Sequence, residues 1–104
     1  MVPYRVIITP RAGVDLEAIY DYIARESAQN AAAMVTRILD ALEPLKQFPH
    51  RTVVERQSRK LRHPVRSLPV PPYIVYFRVL DDQRVIRVLH VRHGARRRPR
   101  TFDP

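Results

Sequence analysis

YIVYFRVL (residues 73–80), DDQR (81–84) and VIRVLHV (85–91) follow one another without interruption, and the basic stretch HGARRRPR (93–100) begins two residues later. The two apolar stretches are rich in β-branched and aromatic residues and are separated by four polar ones, which is typical of a β-hairpin. Since both strands are apolar on both faces, we expect them at the centre of a sheet. The guanidinium groups that follow favour a polyanionic or acidic macromolecular partner over a small apolar ligand.

Two helices are predicted on the N-terminal side of the hairpin. Val2–Ile8 is typical of a strand, and Thr9-Pro10 predicts a helix start with Thr as the N-cap and Pro in the first position. The following residues form an apolar stripe at helical spacing, with acidic residues expected on the outer face. The stripe contains Ala12, Leu16, Ile19, Tyr20 and Ile23, and the outer face Asp15, Glu17 and Asp21.

The second helix runs from about Ala28 into the mid-forties, with Ser27 as its cap. Pro44 removes a main-chain hydrogen bond and should kink or end this helix. Because the link between the two helices is short, we expect an antiparallel helical hairpin.

The segment between the helices and the β-hairpin is polar and basic. We predict an exposed loop over residues 50–60, a weaker strand over Leu61–Leu68, and a stiff connection over Pro69–Pro72. The element order is then β-α-α-β-β-β. It predicts an α+β fold in which the helical hairpin packs on one face of a small, twisted, mainly antiparallel sheet. The other face lacks a second layer, so a partner covers it or it stays partly open.

Charge is unevenly distributed along the 104 residues. The net charge is +9, yet residues 1–50 hold five basic and six acidic side chains, whereas residues 51–104 hold fourteen and four. The length predicts one domain over 1–104, with residues 94–104 as a basic tail. There is no cysteine, no apolar run that could span a membrane and no signal peptide, so we expect a soluble cytoplasmic protein.

The order of elements and the local sequence resemble those of the RelE/ParE superfamily of bacterial toxins, and those of the ParE branch most of all. The similarity covers nearly the whole chain and depends on several pieces in a fixed order. These are Tyr4-Arg5-Val6 before Thr9-Pro10-Arg11-Ala12, residues 15–24, Ile38–Leu42 leading to Phe48-Pro49, residues 65–70, residues 72–79, and Val88-Leu89-His90-Val91-Arg92-His93-Gly94-Ala95-Arg96.

This resemblance implies a plasmid-stabilisation toxin of a type II toxin–antitoxin module. ParE-type members are associated with inhibition of DNA gyrase, whereas RelE-type members cut mRNA in the ribosome. Both types are held inactive by a small antitoxin, here a ParD-like one, whose C-terminal segment wraps the toxin. Fold alone does not choose between the two targets. A nucleic-acid-binding module without toxicity is the third hypothesis.

RNA cleavage without a metal needs a base, an acid and a cation for the developing phosphorane charge. If the chain is a nuclease, Arg66 and His90 are the catalytic candidates, with Arg92 and His93 nearby. The resemblance would place a further arginine nearer the hairpin, where this chain has Pro69–Pro72, and a Tyr or Lys beyond Gly94, which this chain lacks. These departures weaken the nuclease hypothesis. Packing in the sheet is the alternative role of His90.

The candidate residues for binding a target or antitoxin lie on the strands and in the basic tail. Tyr73 and Tyr76 are expected to pack in the sheet, with Tyr73 the better candidate for exposure. Salt bridges are the alternative role of the strand arginines. The binding candidates are Arg66, Tyr73, Arg78, Arg87, Arg92, His93, Arg96, Arg97 and Arg98, with Arg100 in the same run.

No metal or cofactor is predicted. His90 and His93 are three positions apart, so in a regular strand their side chains point to opposite faces. The chain has only two glycines, Gly13 and Gly94, and lacks a glycine-rich phosphate loop.

Overall fold

The computed structural model describes residues 2–95. Seven helices and strands form the frame within this range, with short 3₁₀ turns at Glu43–Lys46, Pro49–Arg51 and Arg56–Ser58. They are β1 (Arg5–Ile8), α1 (Pro10–Ala24), α2 (Ala28–Leu42), β2 (Val53–Val54), β3 (Val65–Val70), β4 (Tyr73–Leu80) and β5 (Val85–His93). The predicted α+β class is confirmed.

Both helices begin at the predicted caps. The Thr9 hydroxyl accepts a hydrogen bond from the Ala12 N–H, and the Ser27 hydroxyl accepts one from the Asn30 N–H. The α-helical geometry of α2 ends at Leu42 and gives way to a 3₁₀ turn that contains Pro44, as the missing N–H of proline predicts.

The five strands form one sheet in the order β1-β5-β4-β3-β2. The β4–β5 hairpin lies at its centre, as predicted. Only β1 is parallel to its neighbour, and it runs alongside β5 from Arg5 opposite Val85 to Ile8 opposite Val88. β5 then continues to His93, five residues beyond the end of this pairing.

The main core lies between the helical hairpin and one face of the sheet. Its buried members alternate along the strands and meet apolar side chains of both helices, as period-2 and period-3.6 patterns require. They include Ile19, Met34, Ile38, Leu42, Val75, Phe77, Val79, Ile86, Val88 and Val91.

The opposite face of the sheet, called the far face here, carries a second buried cluster of Val65, Tyr76 and Leu89. The expectation that this face lacks any cover is wrong for its β3–β4 part. Ser58 and Glu55 are buried against it, and the Arg78 side chain, which is only 4% exposed, donates from Nε to the His63 carbonyl at 3.1 Å. The segment that precedes β3 therefore serves as a partial second layer.

Several boundaries differ from the sequence predictions. The first strand begins at Arg5 rather than Val2, and β5 extends beyond Val91 to His93. Residues 50–60 are not simply an exposed loop, because they include the strand Val53–Val54 and two 3₁₀ turns. The strand predicted over Leu61–Leu68 begins at Val65 instead, and it extends through Pro69 to Val70. Pro69 is tolerated because β2 pairs only with Arg66 and Ser67, so at Pro69 no β2 residue requires an N–H donor.

A β-bulge interrupts the central hairpin. Tyr76 pairs with His90 and Phe77 pairs with Val88, which leaves Leu89 as the extra residue. The bulge shifts the alternation of β5, so Val88 and Val91 both contribute to the helix-side core although they are three positions apart.

Candidate functional site

A groove lies between α1 and the end of the sheet where β4 begins and β5 ends. Its volume is about 1070 Å³. Side chains of both helices form one wall, and the other wall comes from Pro72, Tyr73 and the last residues of β5. The groove exists because β1 stops at Ile8 while β5 continues, so a helix instead of a strand lies beside the last part of β5.

Asp15 fixes α1 to this unpaired part of β5. Its Oδ2 accepts a hydrogen bond from the Val91 N–H at 3.0 Å, and its Oδ1 lies 3.4 Å from Nε of Arg11. The prediction that Asp15 lies on the outer face of the helix is wrong, since its side chain is only 13% exposed. The helical spacing contained the signal, because Asp15 follows Ala12 by three positions and precedes Ile19 by four.

His90 lies next to the same carboxylate. Its Nδ1 is 3.6 Å from Asp15 Oδ2, beyond hydrogen-bond distance. Within residues 2–95, this nitrogen is the one buried side-chain nitrogen or oxygen that lacks a hydrogen-bond partner. Burial lowers the pKa of His90, and the positive charge of Arg92 lowers it further, while Asp15 opposes both effects.

Arg66, the other nuclease candidate, lies in different surroundings. Its Nη1 donates to the carbonyls of Thr52 and His50, at 2.8 and 3.2 Å. It is two strands away from His90, a separation of about 10 Å across a sheet. Arg66 pairs with Phe77, whose side chain lies in the helix-side core, whereas His90 pairs with Tyr76, whose side chain lies on the far face.

Tyr73 and His93 form the floor of the groove at the start of β4. Their rings meet edge to face, with centroids 5.5 Å apart and planes at 77°. Tyr73 is 8% exposed and Tyr76 is 2% exposed, so both pack in the sheet as predicted. Burial raises the pKa of the Tyr73 phenol.

The strand arginines differ in accessibility. Arg78 is buried beneath the segment that precedes β3, Arg87 is exposed, and Arg92 is half-buried at the edge of the groove. The predicted basic cluster of Arg96, Arg97, Arg98 and Arg100 lies outside the described residues. Binding by any of these residues therefore stays a prediction.

A cluster that the sequence did not predict lies at the opposite end of the sheet. The Tyr4 hydroxyl donates to Asp81 Oδ1 at 2.7 Å, and Nε2 of His50 lies 2.7 Å from the same oxygen. The hydrogen bond from Tyr4 lowers the pKa of Asp81, and His50 lowers it further. No local signal could predict this cluster, because Tyr4 and Asp81 are 77 positions apart.

The described part of the chain holds no group of three His, Asp or Glu side chains arranged to bind a metal ion. Across residues 2–95, every helix is too short or too polar to span a membrane.

Comparison with known proteins gives one consistent family. The family described as "ParE toxin of type II toxin-antitoxin system, parDE" matches residues 6–98. A curated relative, toxin RelE2 of Caulobacter vibrioides, is 34% identical over 93 residues, which cover 88% of this chain and 97% of that protein.

Solved structures show the same fold. The chromosomal ParDE toxin–antitoxin system from P. aeruginosa contains a chain that is 27% identical, with a TM-score of 0.69 and coverage of 89% of this chain and 98% of that one. The RelBE2 complex from Mycobacterium tuberculosis gives 26% identity and a TM-score of 0.61, covering 88% and 99%. The archaeal RelE–RelB complex from Pyrococcus horikoshii OT3, at 19% identity and a TM-score of 0.65, covers 93% and 100% and agrees in fold.

Proposed function

The chain belongs to the ParE toxin family of type II toxin–antitoxin systems, and from this premise we propose that it acts by binding a macromolecular target, with DNA gyrase as the expected target. A cognate ParD-like antitoxin neutralises it. The toxin role follows from the family, whereas the target is inferred from the ParE resemblance together with the geometry of the two nuclease candidates.

The separation of Arg66 from His90 is the observation that carries this proposal. A metal-free ribonuclease must bring a base, an acid and a cation to one phosphate. Here the Arg66 guanidinium is engaged with two main-chain carbonyls, and His90 lies two strands away beside Asp15. Two groups so placed are not arranged to act on the same phosphate, which supports binding over cleavage.

The groove beside α1 supports an antitoxin as the partner. It combines an exposed aromatic side chain, Tyr22, with apolar side chains such as Ile23 and Met34 and with charges of both signs. A peptide segment with an apolar anchor and flanking charges fits such a surface. The similar ParDE and RelBE2 structures are themselves toxin–antitoxin complexes.

The alternative is a ribosome-dependent mRNA endoribonuclease of RelE type. Two observations favour it: the relative named RelE2 and the unpartnered Nδ1 of His90 next to a carboxylate. Because its pKa is lowered, the His90 imidazole is available in its neutral, proton-accepting form at neutral pH, although the same shift makes it a weaker base.

A supercoiling assay tests the proposal. Purified full-length toxin is added to gyrase, ATP and relaxed plasmid, and we expect supercoiling to fall and to recover when the antitoxin is added. Plasmid relaxation by topoisomerase I, which should not change, is the control for general effects on DNA. Unimpaired gyrase at micromolar toxin, together with arrest of a cell-free translation system, would contradict the proposal.

Primer extension on translated messages tests the alternative. A RelE-type nuclease leaves cuts in phase with the codons, and His90→Ala should remove them. We expect no such cuts, with either the parent chain or the variant.

A further inference from the structure

The segment that leads into β3 holds a concentrated positive surface on a fixed backbone. Residues 56–62, called the basic loop here, contain four cationic side chains in seven positions and no acidic one. They are Arg56, Arg59, Lys60 and Arg62, and all four are exposed.

Ser58 pins this loop to the sheet. The side chain is 0% exposed, its hydroxyl donates to the Glu55 carbonyl at 2.8 Å, and its oxygen accepts the Val65 N–H at 2.8 Å. The main chain adds bonds from Arg59 N to Arg56 O and from Leu61 N to Ser58 O. The cations therefore project from an ordered turn, which lowers the entropy lost when they bind a ligand.

The cations of the basic loop are not neutralised locally. Among residues 2–95, none of the four makes an ion pair with a carboxylate. The nearest acidic residue in the sequence, Glu55, is 8% exposed and accepts a hydrogen bond from the Ser67 hydroxyl at 3.0 Å. The positive charge is consequently available to a partner.

Charge is also divided between the two sides of the sheet. Six of the ten acidic residues of the chain lie between Pro10 and Lys46, the segment that contains the helical hairpin. The far-face side carries the basic loop, and Arg87 is exposed on β5. The segment from Pro10 to Lys46 holds only four basic residues, so a polyanion approaching this protein is attracted more strongly to the far-face side than to the helical side.

The composition of the loop indicates which polyanion fits. Single-stranded nucleic acids are held by aromatic side chains on which unstacked bases lie, and residues 56–62 contain no aromatic residue. Arginine and lysine without stacking partners are the chemistry of phosphate-backbone contacts, which do not depend on base sequence.

We propose that the basic loop binds the phosphate backbone of double-stranded DNA without sequence preference. The proposal goes beyond toxin action on gyrase and does not depend on it, because the binding needs no gyrase. If gyrase is the target, the same surface would hold the toxin against the DNA that gyrase carries.

Binding of the free full-length chain to a fluorescent DNA duplex, followed by anisotropy over a series of salt concentrations, tests the proposal. The test variant is Arg59→Gln/Lys60→Gln/Arg62→Gln. The matched control, Arg25→Gln/Arg37→Gln/Lys46→Gln, removes the same charge from the helical side. Circular dichroism verifies that both variants are folded.

We expect the Kd of the test variant to be at least about tenfold higher than that of the parent near 0.1 M salt. The slope of log association constant against log salt concentration should become shallower by about 3. The control variant should change Kd by less than about threefold. An equal loss in both variants would overturn the proposal, because net charge alone would then explain the binding. Normal binding by the test variant, combined with loss of binding in Arg96→Gln/Arg97→Gln/Arg98→Gln, would also overturn the proposal. Absence of duplex binding by the parent chain at low salt, or tighter binding of single-stranded RNA than of the duplex, would also reject it.

Discussion

The carboxylate of Asp15 accepts the main-chain N–H of Val91 at 3.0 Å, at the point where β5 has lost its neighbour β1. A side chain of α1 thus takes the place of the carbonyl that a further β1 residue would have supplied. This contact sets the position of the helix against the sheet and forms one side of the groove.

Replacement of Asp15 tests this role directly. Asp15→Ala leaves the N–H of the buried residue Val91 unpaired and should lower the free energy of unfolding by about 2 kcal/mol. Asp15→Asn keeps an accepting oxygen and loses mainly the ion pair with exposed Arg11, so its loss should stay below about 1 kcal/mol. Urea unfolding of both variants measures the difference. Equal losses would mean that the hydrogen bond to Val91 is not the important contact.

His90 should make the folded state less stable as the pH falls. Its pKa is lowered in the folded protein, mainly by burial, from the ordinary value of 6.5. Below pH 6.5 the unfolded chain therefore takes up a proton that the folded chain does not, so stability declines as the pH falls from 6.5 through the folded pKa. Well above pH 6.5 the imidazole is neutral in both the folded and the unfolded chain, so this loss of stability is absent.

Unfolding in urea between pH 5 and pH 8, carried out on the parent and on His90→Gln, measures this effect. The variant should lose the part of the pH dependence that begins near 6.5, and His63→Gln, on the loop before β3, is the control. A parent and variant with parallel stability profiles would exclude His90 as the source.

Much of this fold is predictable from local sequence. The caps at Thr9 and Ser27 and the central hairpin depend on neighbouring residues and on periodicity, so the helices and the two long strands are where we predicted them. The two-residue strand Val53–Val54 could not be predicted, because it exists only through pairing with Ser67 and Arg66.

The functional groups were harder to predict than the fold. Side-chain type identified His90 and Arg66 as candidates, but only the register of β3, β4 and β5 places them in different surroundings. Helical spacing places Asp15 on the buried stripe, but only the structure shows the unpaired strand N–H that its carboxylate accepts.

The Tyr4–Asp81 contact should show in the titration of the carboxylate. Since the hydrogen bond from Tyr4 is the main cause of the lowered pKa of Asp81, Tyr4→Phe should move that pKa up towards its ordinary value of 3.8. Carbon-detected NMR of the Asp81 carboxyl group measures the shift. An unchanged pKa in Tyr4→Phe would assign the effect to His50 instead, which His50→Gln then tests.

The same shift affects stability in acid. The pKa of Asp81 is lowered in the folded chain. Its contribution to the free energy of unfolding is therefore present above pH 3.8 and is lost as the pH falls through the folded pKa. Asp81→Asn should remove this part of the acid sensitivity. Asp82→Asn, on the same turn, should leave it in place.

Ser58 should contribute more to stability than a typical loop serine. Ser58→Ala removes the acceptor of the Val65 N–H and the donor to the Glu55 carbonyl, both in a fully buried setting, and should cost about 1–3 kcal/mol. Urea unfolding measures the loss, and Lys60→Ala, at an exposed position of the same loop, is the control. A loss no larger than that of Lys60→Ala would show that Ser58 does not pin the basic loop.

Tyr22 should be a main contact for the antitoxin if the groove beside α1 is its binding site. The side chain lines the groove, and its ring centroid lies 5.7 Å from the Arg25 guanidinium carbon. Because Tyr22 is 67% exposed, it presents a large apolar surface and has no structural role in the core. Tyr22→Ala should weaken antitoxin binding by about tenfold or more, since exposed aromatic residues dominate such interfaces.

Tyr20→Ala is the matched control for this last prediction, because Tyr20 is on the same helix and partly exposed but does not line the groove. Calorimetric titration of each variant with the purified antitoxin gives the two dissociation constants, and unfolding curves show whether either change disturbs the fold. If Tyr20→Ala weakens binding as much as Tyr22→Ala while both variants remain folded, the antitoxin contacts the outer surface of α1 rather than the groove. Because the groove is formed where α1 replaces β1 beside β5, a groove-bound antitoxin should also bind Asp15→Ala more weakly than Asp15→Asn.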